Sequence, residues 1–332
     1  MTDDAGRPTL SIVMIAYNME RFIRQAIDSV LAQRVDCDYE LVIGEDRSTD
    51  RTREIILEYA ERWPDRIRPI LRDVNLGMNR NFVETLREAR GRFVALIDSD
   101  DYWTSPDKLQ RQMDFLRSHP ECSICFHNTL VLYEDGSAPT HPFHEERPTQ
   151  RISRGIPKPI STLADLAAGN FIQTCSVMFR AGLYGALPDW YLEMPTFDWP
   201  LHVLNAEHGA IGYIDEVLGA YRVHPAGFWS MQMAHYRQIA DIESMIHGYR
   251  LIDRHTGGRY RATISEQLRP LHRRGAEAQL ANGRRLGALR YALGAMSPHL
   301  VKHRTDNRKA LRLVLRALRP LGSDPEGEAR GL

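Results

Sequence analysis

The stretch TLSIVMIAYNMERFIRQAIDSVLAQ, residues 9–33, contains a predicted strand followed at once by a predicted helix. Its first nine residues form a continuous apolar run of strand length. The apolar positions then change to helical spacing, at Phe22, Ala26, Ile27, Val30 and Leu31. A strand that is apolar on both faces and is followed by an amphipathic helix is typical of a parallel sheet covered by helices.

The same alternation repeats along the next part of the chain. The segments YELVIGED, RIRPILR and GRFVALID predict three more strands. Between them, STDRTREIILEYAERW and MNRNFVETLREAR predict helices, the first with Ser48 or Thr49 as its N-cap. We therefore predict a doubly wound α/β sheet, in which ligands bind beyond the carboxyl ends of the strands.

Beyond about Cys122 the alternation weakens. CSICFHNTLVLY and FIQTCSVMFR predict strands, FDWPLHVLNAEHG predicts a helix, and AIGYIDEVLGAYRVH predicts a pair of short strands. Residues 140–160 predict a Pro-rich polar loop that covers a site or binds a variable substrate. Cys122 and Cys125 form a C-x-x-C without a second pair of ligands, so we expect a core strand there.

The charges of the 332-residue chain sum to zero but are unevenly distributed. From Arg250 to the end, 18 basic residues stand against 7 acidic ones, and 25 stand against 36 in the preceding part. We predict two domains, residues 1–230 and 231–332, with a helical, basic second part. The acidic N-terminus does not resemble a signal peptide, and no apolar stretch approaches about 18 residues, so we expect a cytoplasmic protein.

Three carboxylates are crowded directly after the fourth predicted strand, at Asp98, Asp100 and Asp101. Like charges this close raise one another's pKa, so the arrangement is costly unless a positive charge lies among them. A divalent cation is the expected partner. The alternative is an acidic turn that caps a helix beginning near Ser105.

The order of these segments resembles a family 2 glycosyltransferase of the GT-A fold. The matching segments are SIVMIAYNMERFIRQAIDSVLAQ, LVIGEDRSTDRT, NLGMNRNFVETLREARGRFVALIDSDD and FDWPLHVLNAEHGAIGYIDEVLGAYRVH. The resemblance implies a mostly parallel, Rossmann-like sheet with flanking helices and a helical C-terminal extension. It also implies inverting transfer of a sugar from a UDP- or dTDP-sugar to a glycan, a lipid-linked acceptor or a small natural product.

The resemblance implies roles for the acidic segment. Asp98 and Ser99 would face the ribose, and Asp100 or Asp101 would bind Mg²⁺ or Mn²⁺, which neutralises the charge of the leaving pyrophosphate. The segment offers a D-x-D from Asp98 to Asp100 and a D-x-x-D from Asp98 to Asp101, so the metal ligand stays open. His224, after the last strand, would reach the metal or the pyrophosphate, since imidazole suits Mn²⁺, or it is a structural histidine.

On the nucleotide side, the resemblance implies that Asp46 accepts the imide N–H of uracil or thymine. Ala16 and Tyr17 would line the base and ribose pocket, although Tyr17 is equally a packing residue. Arg80 would reach the phosphates or pair with a surface acid.

On the acceptor side, inverting transfer needs a general base. The family places it in an acidic pair at a helix start, where this chain has Phe197 and Asp198, so Asp198 is the candidate. The alternative role is an N-cap. Gln173, Thr174 and Ser176 are candidate contacts to acceptor hydroxyls.

The C-terminal segment NRKALRLVLRALRPLG has the pattern of an amphipathic helix. One face carries Leu311, Val314, Leu315 and Leu318, and the other carries Arg308, Lys309, Arg312, Arg316 and Arg319. This pattern indicates contact with an anionic membrane surface, or a helix packed on its own domain or on a second subunit. Nucleic acid is not expected, because no aromatic residues are interleaved with the charges.

Three other functions compete with glycosyl transfer. A nucleotidyltransferase would carry a Gly-rich loop after the first strand, and IAYNMERF has no glycine. A phosphatase with an aspartyl nucleophile would carry its D-x-D after the first strand rather than the fourth. A non-catalytic scaffold that binds a sugar or nucleotide on the same fold is opposed only by Asp198 and the carboxylates.

Overall fold

The computed structural model describes residues 8–146, 154–227, 239–296 and 304–318. By internal contacts the chain divides into two compact units, Met1–Ser230 and Met231–Leu332. Arg319 and the central part of the predicted polar loop, residues 147–153, lie outside the described residues.

The first half of unit 1 is the predicted parallel sheet. Its strands are β1 (Leu10–Ala16), β2 (Tyr39–Glu45), β3 (Ile67–Leu71) and β4 (Phe93–Leu96). They lie in the order β4-β1-β2-β3, and every neighbouring pair is parallel. Seven residues of β2 and four of β4 are all buried, as expected of strands covered on both faces. The predicted α/β sheet is therefore confirmed.

Later strands extend this sheet on the β4 side. They are β5 (Tyr102–Trp103), β6 (Cys122–Tyr133), β7 (His141–Pro142), β10 (Ile160–Ser161), β11 (Val177–Arg180) and β12 (Ala210–Val223). Two more strands, β8 (His144–Glu145) and β9 (Arg154–Gly155), pair with each other in a separate two-stranded sheet. The full order is β10-β12-β6-β11-β4-β1-β2-β3, with β11 antiparallel to both neighbours and β12 parallel to β6. The result is a mixed, mostly parallel sheet.

Helices flank the strands of unit 1. They are α1 (Ile23–Leu31), α2 (Thr52–Arg62), α3 (Met78–Leu86), α4 (Lys108–Ser118), α5 (Leu163–Ala167) and α6 (Asp198–Ala206), with 3₁₀ turns at Thr174–Ser176 and Asp189–Glu193. Cys122 and Cys125 are buried in β6, which confirms the expected core strand.

Three local predictions were wrong. Helix α2 begins at Thr52 rather than after Ser48, because the Ser48 hydroxyl instead accepts the Asn18 N–H and Asp50 accepts the Thr52 N–H. The segment predicted as one strand before Arg180 begins with a 3₁₀ turn, and the predicted pair of short strands is the single strand β12, whose pairing with β6 contains register shifts. Tertiary pairing decided these cases, since the local patterns were ambiguous.

Unit 2 is helical, as predicted. Its described helices are α7 (Ile239–His255), α8 (Arg261–Ala281), α9 (Arg285–Gly294) and α10 (Arg304–Leu318). Among the described residues, no helix is both long enough and apolar enough to cross a membrane.

Lys108, the first residue of α4, lies in the core of unit 1. Its side chain is fully buried, and the ammonium nitrogen is 3.9 Å from the centre of the Trp103 ring. The ammonium group makes no hydrogen bond to any described residue. Burial lowers the pKa of Lys108 to about 7, because the charged form loses its hydration.

The stability of unit 1 should therefore depend on pH through Lys108. The folded state holds fewer protons than the unfolded state between about pH 7 and the ordinary lysine value of 10.5, so stability rises with pH in this window. A Lys108→Met variant lacks this gain. The difference in unfolding free energy between variant and wild type, measured by urea denaturation, should shift in favour of the wild type by up to about 1.4 kcal/mol per pH unit.

The exposed Lys158, which pairs with Asp165, provides the matched control. Lys158→Met should change stability by an amount that is constant across the same pH window. An unchanged difference between wild type and Lys108→Met from pH 7 to pH 10 would contradict the lowered pKa.

Candidate active site at the carboxyl edge of the sheet

The predicted polar clusters lie along one edge of the sheet. In the parallel register, Ala16 at the end of β1 pairs with Glu45 at the end of β2, and β4 runs parallel to β1 on its other side. Asp46 and the turn of residues 98–101 follow these ends directly. We call this region the carboxyl edge. The topology thus brings together segments that are more than fifty residues apart in sequence.

Asp98, Asp100 and Asp101 form the acidic cluster at this edge. One carboxylate oxygen of each lies within 4.8 Å of those of the other two. Burial, and then the charges of Asp100 and Asp198, hold the pKa of Asp98 well above its ordinary value. Burial, followed by the charges of Asp100 and Asp98, does the same for Asp101. Ser99 is buried between them. The crowding inferred from the sequence is therefore real.

Asp101 has a different environment from its neighbours. It is 1% exposed, whereas Asp98 and Asp100 are partly exposed. Its Oδ1 accepts the backbone N–H of Arg222 at 2.8 Å, while its Oδ2 is buried without a hydrogen bond of normal geometry in the described part of the chain, and the Cys175 thiol is the donor beside the carboxylate. One oxygen of Asp101 is thus committed to the fold, and the other is left for a donor or a cation.

His224 lies against the acidic cluster. It follows β12 directly, is 3% exposed, and places Nε2 3.0 Å from Oδ2 of Asp100. The imidazole packs on the Phe22 ring with a centroid separation of 4.5 Å. The sequence suggested either a ligand or a structural role for His224, and the contact with Asp100 puts it at the cluster.

Arg222 connects β12 to the acidic turn. Its guanidinium donates to the Asp100 carbonyl at 2.7 Å and to Gln25 at 2.7 Å, and it forms an ion pair with Glu134. The side chain is buried over the ring of Phe22. The guanidinium charge is paired with Glu134, and Arg222 acts on the cluster through its backbone N–H, which lowers the pKa of Asp101.

The residues of the cluster fit a hard divalent cation. Three carboxylates within 4.8 Å, with one buried oxygen left unpartnered by the described residues, form a donor set of the kind that Mg²⁺ and Mn²⁺ take. The adjacent imidazole of His224 adds a nitrogen donor, which Mn²⁺ accepts more readily than Mg²⁺.

Asp198 is the first residue of α6 and faces the same space as Asp98. It is 6% exposed, and its Oδ2 accepts the side-chain amide of Asn170 at 2.8 Å. Its negative charge is one of the causes that raise the pKa of Asp98, so the two carboxylates act on each other. The N-cap position is held by Phe197, so the alternative role of Asp198 as N-cap is wrong.

Aromatic packing and a hydrogen bond fix the start of α6. The Phe197 ring packs on Phe82 with centroids 4.3 Å apart, and the Phe197 carbonyl accepts the buried Tyr191 hydroxyl. His202, one turn into the helix, is fully buried, and burial lowers its pKa to about 4, so it is neutral near pH 7. Asp198 therefore has no histidine cation beside it on its own helix turn.

Asp46 joins two loops of the carboxyl edge. Its carboxylate oxygens accept the backbone N–H groups of Leu76 at 2.7 Å and Gly77 at 2.9 Å, and the residue is 2% exposed. Next to it Ala16 is buried, whereas Tyr17 is 44% exposed. A carboxylate oxygen can accept more than one hydrogen bond, so Asp46 can contact this loop and a nucleotide base at the same time.

Arg80 lies on the surface of α3. Its guanidinium forms an ion pair with Glu84, one helical turn away, at 3.0 Å, and 63% of its side chain is exposed. The sequence allowed two roles for Arg80, a contact with the phosphates or a pair with a surface acid, and the structure shows the pair. An exposed pair of this kind is readily exchanged for another anion.

Four residues lie around these carboxylates. The Thr174 hydroxyl, considered above for the acceptor side, hydrogen-bonds to Asp98, and Gln173 is bonded to Thr129. Asn170 orients Asp198, and no pattern in the sequence identifies it, because it belongs to a loop 28 residues away. Arg222 had a weak signal: it stands near the end of β12, two residues before His224.

Comparison with known proteins identifies the family. A model of Glycosyl transferase family 2 matches residues 11–184. An uncharacterized protein of Mycobacterium tuberculosis is 39% identical over 254 residues, which span 73% of this chain and 70% of that protein. The putative teichuronic acid biosynthesis glycosyltransferase TuaG of Bacillus subtilis is 34% identical over 131 residues, 40% of this chain and 50% of TuaG.

A solved structure shares the fold. The mannosyltransferase PcManGT from Pyrobaculum calidifontis, in complex with GDP-Man and Mn²⁺, aligns with 96% of this chain and 88% of its own, with a TM-score of 0.52 and 16% sequence identity. At this identity the likeness concerns the fold, a GT-A sheet with flanking helices. Together with the family match over more than half of its length, it shows that this chain is a GT-A glycosyltransferase of family 2.

Proposed function

We propose that the chain transfers a sugar, with inversion, from a nucleoside-diphosphate sugar to an acceptor hydroxyl, and that residues 1–230 are its catalytic domain. The observation that carries the proposal is the electrostatic coupling of Asp198 to Asp98. This coupling supports the proposal, because a general base and the acidic cluster have to face the same donor sugar. A scaffold that only binds nucleotide has no need of that pairing.

Asp198 is the proposed general base. It takes the proton of the acceptor hydroxyl as the hydroxyl oxygen attacks C1 of the sugar, and the bond from C1 to the diphosphate oxygen breaks on the opposite side. The amide of Asn170 keeps the carboxylate oriented. Phe197 replaces the first acid of the family's pair, and proton transfer needs only one carboxylate.

The acidic cluster is the proposed diphosphate side of the site. A bound Mg²⁺ or Mn²⁺ supplies charge neutralisation for the departing diphosphate. Asp100, which is partly exposed and next to His224, is the favoured ligand with that histidine. Asp101 contributes through its unpartnered oxygen. Asp98 and Ser99 face the ribose, with the Thr174 hydroxyl holding Asp98.

Asp46 is proposed to select the base, with Ala16 and Tyr17 along the pocket and Arg80 at the phosphates. Uracil and thymine present the same N–H to a carboxylate, so UDP- and dTDP-sugars are the proposed donors. PcManGT, which has the same fold, binds GDP-Man, so guanine donors are the competing class.

The relatives favour a cell-surface glycan as the product. TuaG is named for teichuronic acid biosynthesis, which supports a polysaccharide or lipid-linked acceptor over a small natural product. We place the protein in the cytoplasm, at the inner face of the membrane. A nucleotidyltransferase is disfavoured by the family match and by the absence of glycine after β1.

Helix α10 is the proposed membrane contact. Ala310, Leu313 and Ala317 are buried on one face, while Leu311, Leu315 and Leu318 are 47%, 54% and 62% exposed. Basic side chains flank the exposed leucines, at Arg308, Lys309, Arg312 and Arg316. Exposed leucines beside basic residues suit the interface of an anionic bilayer. A second copy of the chain is the alternative cover for these leucines.

Nucleotide binding is the first test of the proposal. UDP or dTDP should raise the melting temperature of the protein only when Mn²⁺ is present, because ligand binding stabilises the folded state. Asp100→Asn should abolish the Mn²⁺-dependent part of the shift. Asp114→Asn, on the exposed face of α4, is the control and should keep it. Stabilisation by GDP alone would overturn the role given to Asp46, and no shift from any nucleotide would favour the scaffold.

Asp198→Asn tests the general base. Release of nucleoside diphosphate from the stabilising nucleotide sugar should fall by about 10²–10⁴-fold, while the dissociation constant for the nucleotide stays unchanged. Asp107→Asn, which removes a surface carboxylate paired with Arg34, should retain turnover. Full activity of Asp198→Asn would rule out the assignment.

The membrane contact is tested by flotation with liposomes. The full-length protein should float with vesicles that contain anionic lipid at low salt, and replacement of Leu311 and Leu315 by Ser should abolish flotation. Replacement of Leu57 and Leu71, exposed leucines of unit 1, is the matched control. If the wild type does not float and light scattering gives a dimer that the leucine variant loses, the leucines form a subunit interface instead.

A further inference from the structure

Unit 2 contains a cavity that the proposed function does not use. It has a volume of about 270 Å³ and lies between α7, α8 and α9. Its lining residues are Glu243, Ile246, His247, Arg250, His272, Arg290 and Tyr291. The volume is near the lower end of small-ligand pockets, which begin at roughly 300 Å³. It exceeds what a few water molecules need.

Two glycines shape the wall of this cavity. A Cβ atom at Gly275 of α8 would stand 2.4 Å from the ring of Tyr291, and one at Gly294 of α9 would stand 2.8 Å from Nδ1 of His272. Each ring of one helix therefore lies directly on the backbone of the other. Because rings packed in this way have little freedom to turn, the cavity is preformed.

The cavity carries two arginines that lack counter-ions. Arg250 comes from α7 and Arg290 from α9, and neither forms an ion pair with another residue in the described ranges. Other arginines of the same unit do have partners: Arg261 pairs with Asp253 at 3.1 Å, and Arg273 pairs with Asp306 at 2.8 Å. Two helices thus bring two guanidinium groups, both on exposed residues, to one cavity.

One carboxylate of the lining offsets part of this charge. Glu243 lies in the same cavity and accepts the Tyr291 hydroxyl at 2.9 Å, so one carboxylate stands beside the two guanidinium groups. Burial, followed by the charges of Arg250 and Arg290, lowers the pKa of His272, so its imidazole is neutral near pH 7. Its Nδ1 is buried without a hydrogen-bond partner in the described part of the chain.

We propose that this cavity is a second ligand site, which binds a phosphate-containing anion through Arg250 and Arg290. Guanidinium groups from two helices match an anion with several acceptor oxygens, and phosphate presents more of them than a carboxylate does. The volume admits a diphosphate or a sugar phosphate. The phosphate belongs to a soluble metabolite or to a lipid headgroup, and the two sources share this chemistry.

Calorimetric titration with inorganic pyrophosphate tests the site in the full-length protein. EDTA is included so that the acidic cluster holds no cation. Wild type should bind, and the double variant Arg250→Gln with Arg290→Gln should bind at least about tenfold more weakly, because charge-assisted hydrogen bonds are lost. The double variant Arg254→Gln with Arg274→Gln removes the same charge from positions of α7 and α8 that are exposed, as Arg250 and Arg290 are, but do not line the cavity, and it should bind as wild type does.

A second arm distinguishes the two sources. Vesicles of phosphatidylcholine with phosphatidic acid present a phosphate monoester at a surface. If sedimentation with these vesicles depends on Arg250 and Arg290 but not on Arg254 and Arg274, the site takes a lipid headgroup. If only pyrophosphate binding depends on them, it takes a soluble phosphate.

The proposal is overturned if wild type fails to bind pyrophosphate and vesicles, or if both double variants bind equally. Circular dichroism shows whether the variants are folded. The outcome is independent of glycosyl transfer, because Asp198→Asn and Asp100→Asn should still bind pyrophosphate in EDTA.

Discussion

The acidic cluster depends on one buried arginine. Arg222 donates two hydrogen bonds to the turn of residues 98–101. Its backbone N–H bonds to the Asp101 carboxylate, and its guanidinium bonds to the Asp100 carbonyl. Removing such a group from a buried network leaves charges uncompensated, which costs far more than a surface pair. Through this contact, the last strand of the sheet is coupled to the end of the fourth, and the position of His224 follows from it.

The same turn holds three mutually repelling carboxylates close together. Arg222 offsets part of the repulsion through backbone contacts, while the carboxylates of Asp98 and Asp100 stay partly exposed. Asp198, at the start of α6, adds another negative charge that raises the pKa of Asp98. A site that crowds carboxylates in this way is poised to bind a cation, because the cation relieves a repulsion that already exists.

The arginines of unit 2 have two kinds of environment. Some of its arginines pair with acids of neighbouring helices, as Arg273 does with Asp306. Arg250 and Arg290 instead converge on a cavity whose only carboxylate, among the lining residues, is held by a tyrosine hydroxyl. Part of the excess of basic residues from Arg250 onward therefore lies around this cavity, and part lies on the exposed face of α10.

The linear pattern was sufficient for the parallel half of the sheet and for the acidic cluster, because apolar period, strand length and crowded carboxylates are local properties. It could not identify the N-cap of α2 or the single long β12, since Ser48 and β12 found partners on distant segments. Nor could it distinguish the environments of the three aspartates. Asp101 is buried and accepts the backbone N–H of Arg222, a contact between positions 121 residues apart. The environment of a side chain is set by whatever the fold packs around it, and sequence neighbours supply only part of that packing.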